Sequence, residues 1–285
     1  MNCLLRCGLA VALLVSCAGC ANGLFYHPTR VVYQTPAARS LKYEDVTFTS
    51  PDGTRLNGWF IPAVSNAHGT VIHFHGNAQN MTAHFTFADW VPEAGFNLFV
   101  FDYRGYGKSE GRISRRGVYE DSVAAIRYVQ GRADVDPDRI LIFGQSLGGA
   151  NAIAALGNND FTGIRAIVID SSFYSYRRIV RDKIALIPVL SLLRWPLSYV
   201  VVGNAYSPAN DVARLPRVPI VFIHGTADTV VPYEHSVDLY EKANPPKSLW
   251  MVPGGEHTEA LTRFRDRYLQ RMVDLFEQAV EEGCQ

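Results

Sequence analysis

Residues 140–149 read Ile-Leu-Ile-Phe-Gly-Gln-Ser-Leu-Gly-Gly, and this stretch decides the fold. Its apolar start predicts a buried strand, and the small residues of 149–154 predict a helix. The pentad G-Q-S-L-G between them is by itself weak evidence in a chain with 23 glycines. Its strand–turn–helix context, however, is that of a nucleophile elbow, which would lift the Ser146 hydroxyl clear of the sheet at the positive end of the helix. So tight a turn excludes bulk from its neighbours, as at Gly144, Gly148 and Gly149.

Similar apolar runs recur along the chain. Strands are predicted over 46–49, 56–62, 70–75, 97–102, 139–143, 165–169, 219–224 and 248–252. Helical spacing of apolar residues is found over 114–130, 233–243 and 258–280. Near-continuous apolar strands that alternate with helices predict an α/β fold with a mostly parallel, doubly wound sheet.

A long insertion interrupts this alternation at about 171–206. Its apolar part, 184–202, contains two prolines and Arg194, which argues against a membrane span. We therefore predict a short helical cap, whose apolar side chains either line a pocket or contact lipid, or simply pack on the sheet. These side chains are Ile184, Leu186, Ile187, Leu190, Leu192, Leu193 and Trp195.

A serine hydroxyl needs a base to act as a nucleophile at neutral pH. His257, in Gly-Gly-Glu-His at 254–257, is the candidate base, and Asp228, in Gly-Thr-Ala-Asp at 225–228, is the candidate acid that orients it. Asp170, at the end of another predicted strand, is the rival acid. The chain order serine, acid, histidine is that of α/β-hydrolases and differs from that of chymotrypsin-like and subtilisin-like enzymes.

Negative charge that develops on a substrate carbonyl needs two fixed N–H donors. We expect one from the backbone of Leu147, next to the serine. We expect the other from the backbone of Asn77, in the loop after the first buried strand. Together these donors would form an oxyanion hole.

Two further motifs suggest other chemistries. His73 and His75 alternate along a strand and could be a metal pair, but no carboxylate or further histidine cluster accompanies them. Residues 102–109 contain G-K-S, but Asp102 stands where a phosphate-binding P-loop requires glycine. We therefore expect no metal and no cofactor.

Five motifs together resemble those of the serine α/β-hydrolases, in particular the Bem46/ABHD13-like group, which is often catalogued with prolyl-oligopeptidase or aminopeptidase-type serine hydrolases. They are H-F-H-G-N-A at 73–78, F-D-Y-R-G-Y-G-K-S-E-G at 101–111, F-G-Q-S-L-G-G at 143–149, H-G-T-A-D-T-V-V-P at 224–232 and G-G-E-H at 254–257. The resemblance covers about 44–280, and we assign the hydrolase domain to 44–283. It implies Ser146 as nucleophile, Asp228 as acid, His257 as base and Asn77 with Leu147 as oxyanion donors. It says little about the substrate.

Composition excludes several classes of protein. The chain has 285 residues, is 48% hydrophobic and carries 27 basic against 27 acidic side chains. A globular domain with a full core is therefore expected. The chain has no net positive charge that would favour binding to nucleic acid. Four of the five cysteines lie within the first 20 residues and the fifth is Cys284, which excludes a disulfide framework.

The N-terminus is typical of an exported bacterial lipoprotein. Residues 9–15 are apolar but too few to span a bilayer, and Leu-Val-Ser-Cys follows at 14–17. We predict a signal peptide over 1–16, lipidation at Cys17, or alternatively Cys20, and an anchor and linker over 17–43. The Leu-Val-Ser-Cys stretch resembles the lipidation box of bacterial lipoproteins, and that resemblance implies a location in the bacterial cell envelope, at the outer membrane facing the periplasm. A plain secretory signal is the alternative.

Three functions are open at this point. The first is a carboxylesterase, lipase or thioesterase that acts on a small acyl or lipid-like substrate. The second is a serine exopeptidase, which would need a carboxylate near the cap to hold the substrate amine; residues 184–203 contain none. The third is a non-catalytic envelope binding module, which the presence of serine, acid and histidine disfavours. The oligomeric state stays open.

Overall fold

The protein is built around an eight-stranded sheet. The structure, a computed structural model, describes residues 22–282. The strands are β1 (Glu44–Thr49), β2 (Arg55–Ile61), β3 (Thr70–Phe74), β4 (Asn97–Phe101), β5 (Ile140–Gln145), β6 (Ile164–Asp170), β7 (Ile220–Gly225) and β8 (Lys247–Val252). Their order in the sheet is β1-β2-β4-β3-β5-β6-β7-β8. β2 runs antiparallel to both its neighbours, and the remaining pairs are parallel. The predicted α/β-hydrolase fold is confirmed.

Helices flank the sheet. The longer ones are α1 (Arg115–Gln130), α2 (Leu147–Gly157), α3 (Tyr176–Ala185), α4 (Arg194–Val201), α5 (Glu234–Lys242) and α6 (Arg265–Glu282). Short α-helices cover Met81–His84 and Pro208–Asp211, and 3-10 turns cover Asn22–Leu24, Pro36–Arg39, Phe85–Phe87, Ser191–Leu193 and Val212–Arg214. Within residues 22–282, no helix is both long and apolar enough to cross a bilayer.

The sheet is covered on both faces, as its apolar strands predict. In β5, Ile140 and Ile142 join the core on one face, and Leu141 and Phe143 join the core on the other. Alternate side chains of a strand point to opposite faces, so a run of consecutive apolar residues is buried in full. The sheet is thereby held from both sides, and the loops at its edge start from fixed positions.

The last helix is shorter than its sequence pattern predicts. The prediction that it begins at 258 was wrong, because α6 starts at Arg265 and turns occupy 258–264. Thr258 adopts a left-handed backbone with φ 56°, which a right-handed helix cannot include. Its N–H donates to the Ser171 hydroxyl at 3.1 Å. Leu261 is nevertheless buried, which is why the apolar spacing resembles a helix there.

Two segments outside the sheet complete the fold. The insertion at 171–206 contains α3, a 3-10 turn and α4, in agreement with the predicted helical cap. The described part of the predicted anchor and linker, 22–43, packs on the domain. Phe25 and Tyr26 are buried there, and His27–Pro28 pairs in parallel with Ala78–Gln79. Both candidate lipidation sites, Cys17 and Cys20, lie outside the described residues.

Candidate active site

Ser146 lies on the sharp turn between β5 and α2. Its backbone has φ 51° and ψ −118°, a strained conformation for a residue with a side chain. A Cβ at Gly148 would come within 2.0 Å of the Phe74 carbonyl oxygen, and one at Gly144 within 2.7 Å of the Gly149 Cα. The turn thus needs glycine at both positions, as the sequence predicted, and it projects the serine from the C-terminal edge of the sheet.

The structure brings Ser146, His257 and Asp228 into one hydrogen-bonded chain. The His257 Nε2 atom is 3.0 Å from the Ser146 hydroxyl, and its Nδ1 atom is 2.7 Å from an Asp228 carboxylate oxygen. With Nδ1 protonated, the ring donates to the carboxylate and Nε2 can accept the serine proton. The serine, aspartate and histidine follow β5, β7 and β8, so the parallel strands deliver them to the same edge.

The Asp228 carboxylate is fully enclosed, and each of its oxygens is hydrogen-bonded. One oxygen accepts the backbone N–H groups of Val230 and Val231, both at 2.8 Å. The other accepts from His257 and from His224 at 3.1 Å. Burial alone would raise the pKa of Asp228, but these hydrogen bonds outweigh it and hold the pKa well below its ordinary value. The acid is therefore ionised at neutral pH and able to stabilise a protonated His257.

The rival acid, Asp170, lies at the end of β6 and has other partners. Its carboxylate accepts from the Ser171 hydroxyl at 2.8 Å and from the Gln145 amide at 3.4 Å. Burial raises the pKa of Asp170. The carboxylate that contacts His257 is that of Asp228, which favours Asp228 over Asp170 as the orienting acid.

The predicted oxyanion donors both line the cavity next to Ser146. Leu147 is the first residue of α2, where a backbone N–H has no acceptor within the helix. Asn77 is held through its carbonyl oxygen, which accepts from the His27 N–H at 2.9 Å and from the Tyr106 hydroxyl at 2.7 Å. The loop that carries the Asn77 N–H is thus fixed from two sides before any substrate binds.

Three residues that support the site are not predicted from the sequence. His224 and Tyr106 lie within two of the hydrolase-like motifs, at 224–232 and 101–111, so these motifs contain a signal for them. His27 contributes only its backbone N–H, and no side-chain pattern could have revealed it.

The two histidines considered as a metal pair, His73 and His75, form hydrogen bonds within the protein instead. His73 Nε2 bonds to the Gln145 side chain at 2.9 Å, and His75 Nδ1 bonds to the Gly76 carbonyl at 2.8 Å. Burial lowers the pKa of His73 to about 3, so its ring is neutral. Among residues 22–282, no cluster of three or more His, Cys, Asp or Glu side chains is placed to hold a metal ion.

A cavity of about 350 Å³ adjoins the serine, and its wall is mostly apolar. It is lined by Leu24, Phe25, Asn77, Ser146, Leu147, Phe173, Ile179, Val180, Lys183, Ile184, Ile187, Val201, Val230 and Val231. Lys183 is the charged residue of this lining, and its ammonium group donates to the Thr229 carbonyl at 3.1 Å. Of the seven apolar cap residues singled out in the sequence, Ile184 and Ile187 line the cavity. Ile187 is also 48% exposed, and the other five are exposed and do not line the cavity.

A serine–histidine–aspartate relay on this sheet defines a serine hydrolase of the α/β-hydrolase class. The chain belongs to the prolyl oligopeptidase family, whose sequence profile matches residues 83–283. It is 43% identical to the YfhR protein of Escherichia coli K12 over 259 residues, which are 89% of this chain and 86% of that protein. It is 31% identical to the alpha/beta hydrolase domain-containing protein WAV2 of Arabidopsis thaliana over 263 residues, 87% of this chain and 83% of that protein. Among solved structures it resembles the esterase Pf2001 of Pyrococcus furiosus, with a TM-score of 0.74, 25% identity and coverage of 90% of this chain and 98% of that chain.

Proposed function

We propose that the protein cleaves a carboxylic ester or thioester of an acyl substrate through an acyl-enzyme intermediate. The observation that carries this proposal is the position of the relay: the serine that His257 contacts opens directly onto an apolar cavity of about 350 Å³. Such a cavity suits an acyl chain, because apolar surface is favourably transferred out of water.

In the proposed reaction, the Ser146 oxygen attacks the substrate carbonyl carbon while its proton passes to His257 Nε2. The backbone N–H groups of Leu147 and Asn77 bind the oxyanion. Collapse of the tetrahedral intermediate breaks the bond to the leaving alcohol or thiol, which takes the proton from the imidazolium. A water molecule then gives a proton to His257 and attacks the acyl carbon. The second collapse releases the carboxylic acid and returns the proton to the serine oxygen.

The proposal is tested with p-nitrophenyl esters of increasing acyl length. The wild-type protein is expected to release p-nitrophenol and to be labelled by a fluorophosphonate probe. Ser146→Ala should lower kcat by more than about 10³-fold and abolish labelling. Ser65→Ala, an exposed serine on the loop at the opposite edge of the sheet, is the matched control and should retain both. Unchanged turnover in Ser146→Ala would overturn the proposal.

A serine exopeptidase is the second candidate, because the chain belongs to the prolyl oligopeptidase family. Against it, the residues that line the cavity include no carboxylate to hold a substrate amine. A parallel panel of aminoacyl-p-nitroanilides separates the two, and ester cleavage is expected to dominate. If the probe fails to label the wild-type protein, a non-catalytic binding role replaces both.

We further propose that the mature chain is anchored in the bacterial outer membrane by acyl groups on Cys17, with Cys20 as the alternative. The support is the sequence Leu-Val-Ser-Cys after a short apolar run. In cells fed an alkyne-bearing fatty acid, Cys17→Ser should lose the label and Cys20→Ser should keep it. The reverse pattern would assign Cys20, and an unlabelled wild-type protein would contradict the anchor.

A further inference from the structure

Exposed apolar side chains are concentrated on one part of the cap. Residues 186–200, which we term the cap patch, contain nine large hydrophobic side chains that are at least one-third exposed. They are Leu186, Ile187, Val189, Leu190, Leu192, Leu193, Trp195, Tyr199 and Val200. Val189 is 84% exposed and Leu192 is 90% exposed. A soluble surface rarely leaves so much apolar area together unless it meets a partner or a membrane.

The charge around the cap patch indicates what that partner is. The cap, 171–206, carries five basic side chains and one acidic side chain in a chain whose total charge is zero, and Arg178 is the basic side chain that forms an ion pair outside the cap, with Asp238. The Arg181 guanidinium lies 4.0 Å from the centre of the Trp195 ring, and that of Arg177 lies 4.3 Å from the centre of the Tyr199 ring. Apolar side chains mixed with tryptophan, tyrosine and arginine are typical of surfaces that lie in the headgroup region of a bilayer.

The same charge argues against a second copy of the chain as the partner. A symmetric dimer through the cap patch would bring together two caps that each carry an excess of basic side chains over 171–206, and like charges repel. Anionic lipid headgroups provide the complementary sign instead.

The position of Leu24, close to the predicted lipid anchor, also favours a membrane as the partner. Leu24 is 55% exposed and lines the cavity together with Ile184 and Ile187 of the cap. The chain from Cys20 to Leu24 can span no more than about 14 Å, and the chain from Cys17 to Leu24 no more than about 25 Å. A lipid group on either candidate cysteine would therefore be tethered within that distance of Leu24, which lines the cavity.

We propose that the cap patch docks onto the surface of an anionic lipid bilayer, so that the mouth of the cavity beside Ser146 faces the membrane. Docking itself does not depend on the proposed chemistry, whereas access to membrane-borne acyl esters rests on it. The patch supplies apolar side chains that insert among the lipids, and the arginines around it contact the headgroups.

The first experiment uses Trp195 as a depth probe in the full-length protein, bound to vesicles of phosphatidylcholine and phosphatidylglycerol with brominated acyl chains. Trp195 is 55% exposed, whereas Trp59 and Trp90 are buried and Trp250 packs under Arg271. We expect bromine to quench part of the tryptophan fluorescence, and this quenching to disappear in Trp195→Phe. Protein that sediments with the vesicles while Trp195 stays unquenched would overturn the proposal, even if a lipid anchor holds the protein there.

The second experiment compares two substrates: a short soluble ester and a long-chain ester embedded in the same vesicles. The triple variant Leu186→Ser/Val189→Ser/Leu192→Ser changes residues that do not line the cavity. It should keep activity on the soluble ester within about twofold and lose at least about tenfold on the embedded ester. Val64→Ser is the matched control, since Val64 is 71% exposed on the loop at the opposite edge of the sheet, and it should change neither activity.

Other results of these two experiments would also decide whether the cap patch docks onto a bilayer. Equal losses on both substrates, or no loss on either, would overturn docking through the cap patch. So would a wild-type dimer in solution that shields Trp195 and dissociates in the triple variant. Quenching of Trp195 without cleavage of either ester would leave the docking surface standing and remove the proposed hydrolase function.

Arg194→Gln tests the electrostatic part. It should weaken vesicle binding by about fivefold when phosphatidylglycerol is present and leave binding to pure phosphatidylcholine unchanged. An equal effect on both kinds of vesicle would contradict recognition of anionic headgroups.

Discussion

The catalytic edge of the sheet and the cap differ in how their side chains are surrounded: the catalytic side chains at the edge are hydrogen-bonded, and many of those on the cap are apolar and exposed. At the edge, each oxygen of the Asp228 carboxylate is hydrogen-bonded, and Ser146 is held in a strained turn that tolerates no extra carbon beside it. On the cap, Val189 and Leu192 remain almost entirely exposed. The cap is tied to the domain through α3, where Asp182 accepts from His235 at 2.8 Å and Arg178 forms an ion pair with Asp238. Chemistry is therefore placed on a rigid frame, and apolar contacts are placed on a separate surface.

This difference predicts that substitutions at the edge change the rate of reaction and that substitutions on the cap change which substrate is reached.

The largest effect is expected from Asp228→Asn. The amide cannot stabilise a protonated His257 or hold it in the required tautomer, so kcat should fall by about 10⁴-fold while the fold is retained. Asp170→Asn is the matched control and should keep kcat within about tenfold, because Asp170 contacts Gln145 and Ser171 instead. Steady-state kinetics with a short p-nitrophenyl ester measures both. Equal losses of kcat in the two variants would contradict the assignment of Asp228, rather than Asp170, as the acid that orients His257.

A second comparison uses glycines from the two regions. Gly148→Ala forces a methyl group against the Phe74 carbonyl, so the elbow or β3 must shift, at a cost of roughly 1–3 kcal/mol. Gly203→Ala, at the end of the cap, meets only the flexible end of Arg115 at 3.5 Å. We expect Gly148→Ala to lower Tm by about 2–10 °C together with kcat, and Gly203→Ala to leave both unchanged. Thermal unfolding followed by circular dichroism and ester hydrolysis provide the measurements, and a stable, fully active Gly148→Ala would refute the rigid edge.

These two regions also differ in how far the sequence predicted them. Strand positions at the edge follow from apolar runs, and Ser146, Asp228 and His257 each come just after such a run, so their meeting at one edge could be anticipated. The start of α6 could not, because the apolar spacing at Leu261 continues through a turn that the left-handed Thr258 imposes. Apolar residues in a sequence do not reveal whether they are packed or exposed.

The cap illustrates this last limit. Ile184 and Leu186 are similar apolar residues two positions apart, yet one lines the cavity and the other is exposed. The helix α3 ends at Ala185 between them, and Ile187 lines the cavity again, so a run of apolar residues does not reveal which of its members face the cavity. The support given by His27 to Asn77 was equally hidden, because the two residues are 50 positions apart and the hydrogen bond joins backbone atoms.

A smaller effect is expected from Tyr106→Phe. The substitution removes the hydroxyl that holds the Asn77 carbonyl at 2.7 Å and leaves the His27 N–H as the remaining donor. A less fixed oxyanion loop should lower kcat by about tenfold with little change in KM, because the loop acts on the transition state. Tyr119→Phe, whose hydroxyl accepts from Asn159 far from this loop, should leave kcat unchanged. A rise in KM at constant kcat would contradict a role in transition-state stabilisation.

The smallest effect is expected from the cap, and it should depend on the substrate. Ile184→Ala removes apolar surface from the cavity wall. It should lower kcat/KM for an octanoyl ester by about 3–10-fold and leave an acetyl ester unaffected, since a longer acyl chain buries more of its surface against that wall. Leu186→Ala is the matched control, because Leu186 is 73% exposed and does not line the cavity, so it should change neither value in solution. The ratio of kcat/KM for the two esters is the measurement that matters, since it cancels any general loss of active enzyme. A loss that is the same for both acyl lengths would mean that the cap affects the relay itself, and the division between a rigid edge that reacts and a cap that selects would then fail.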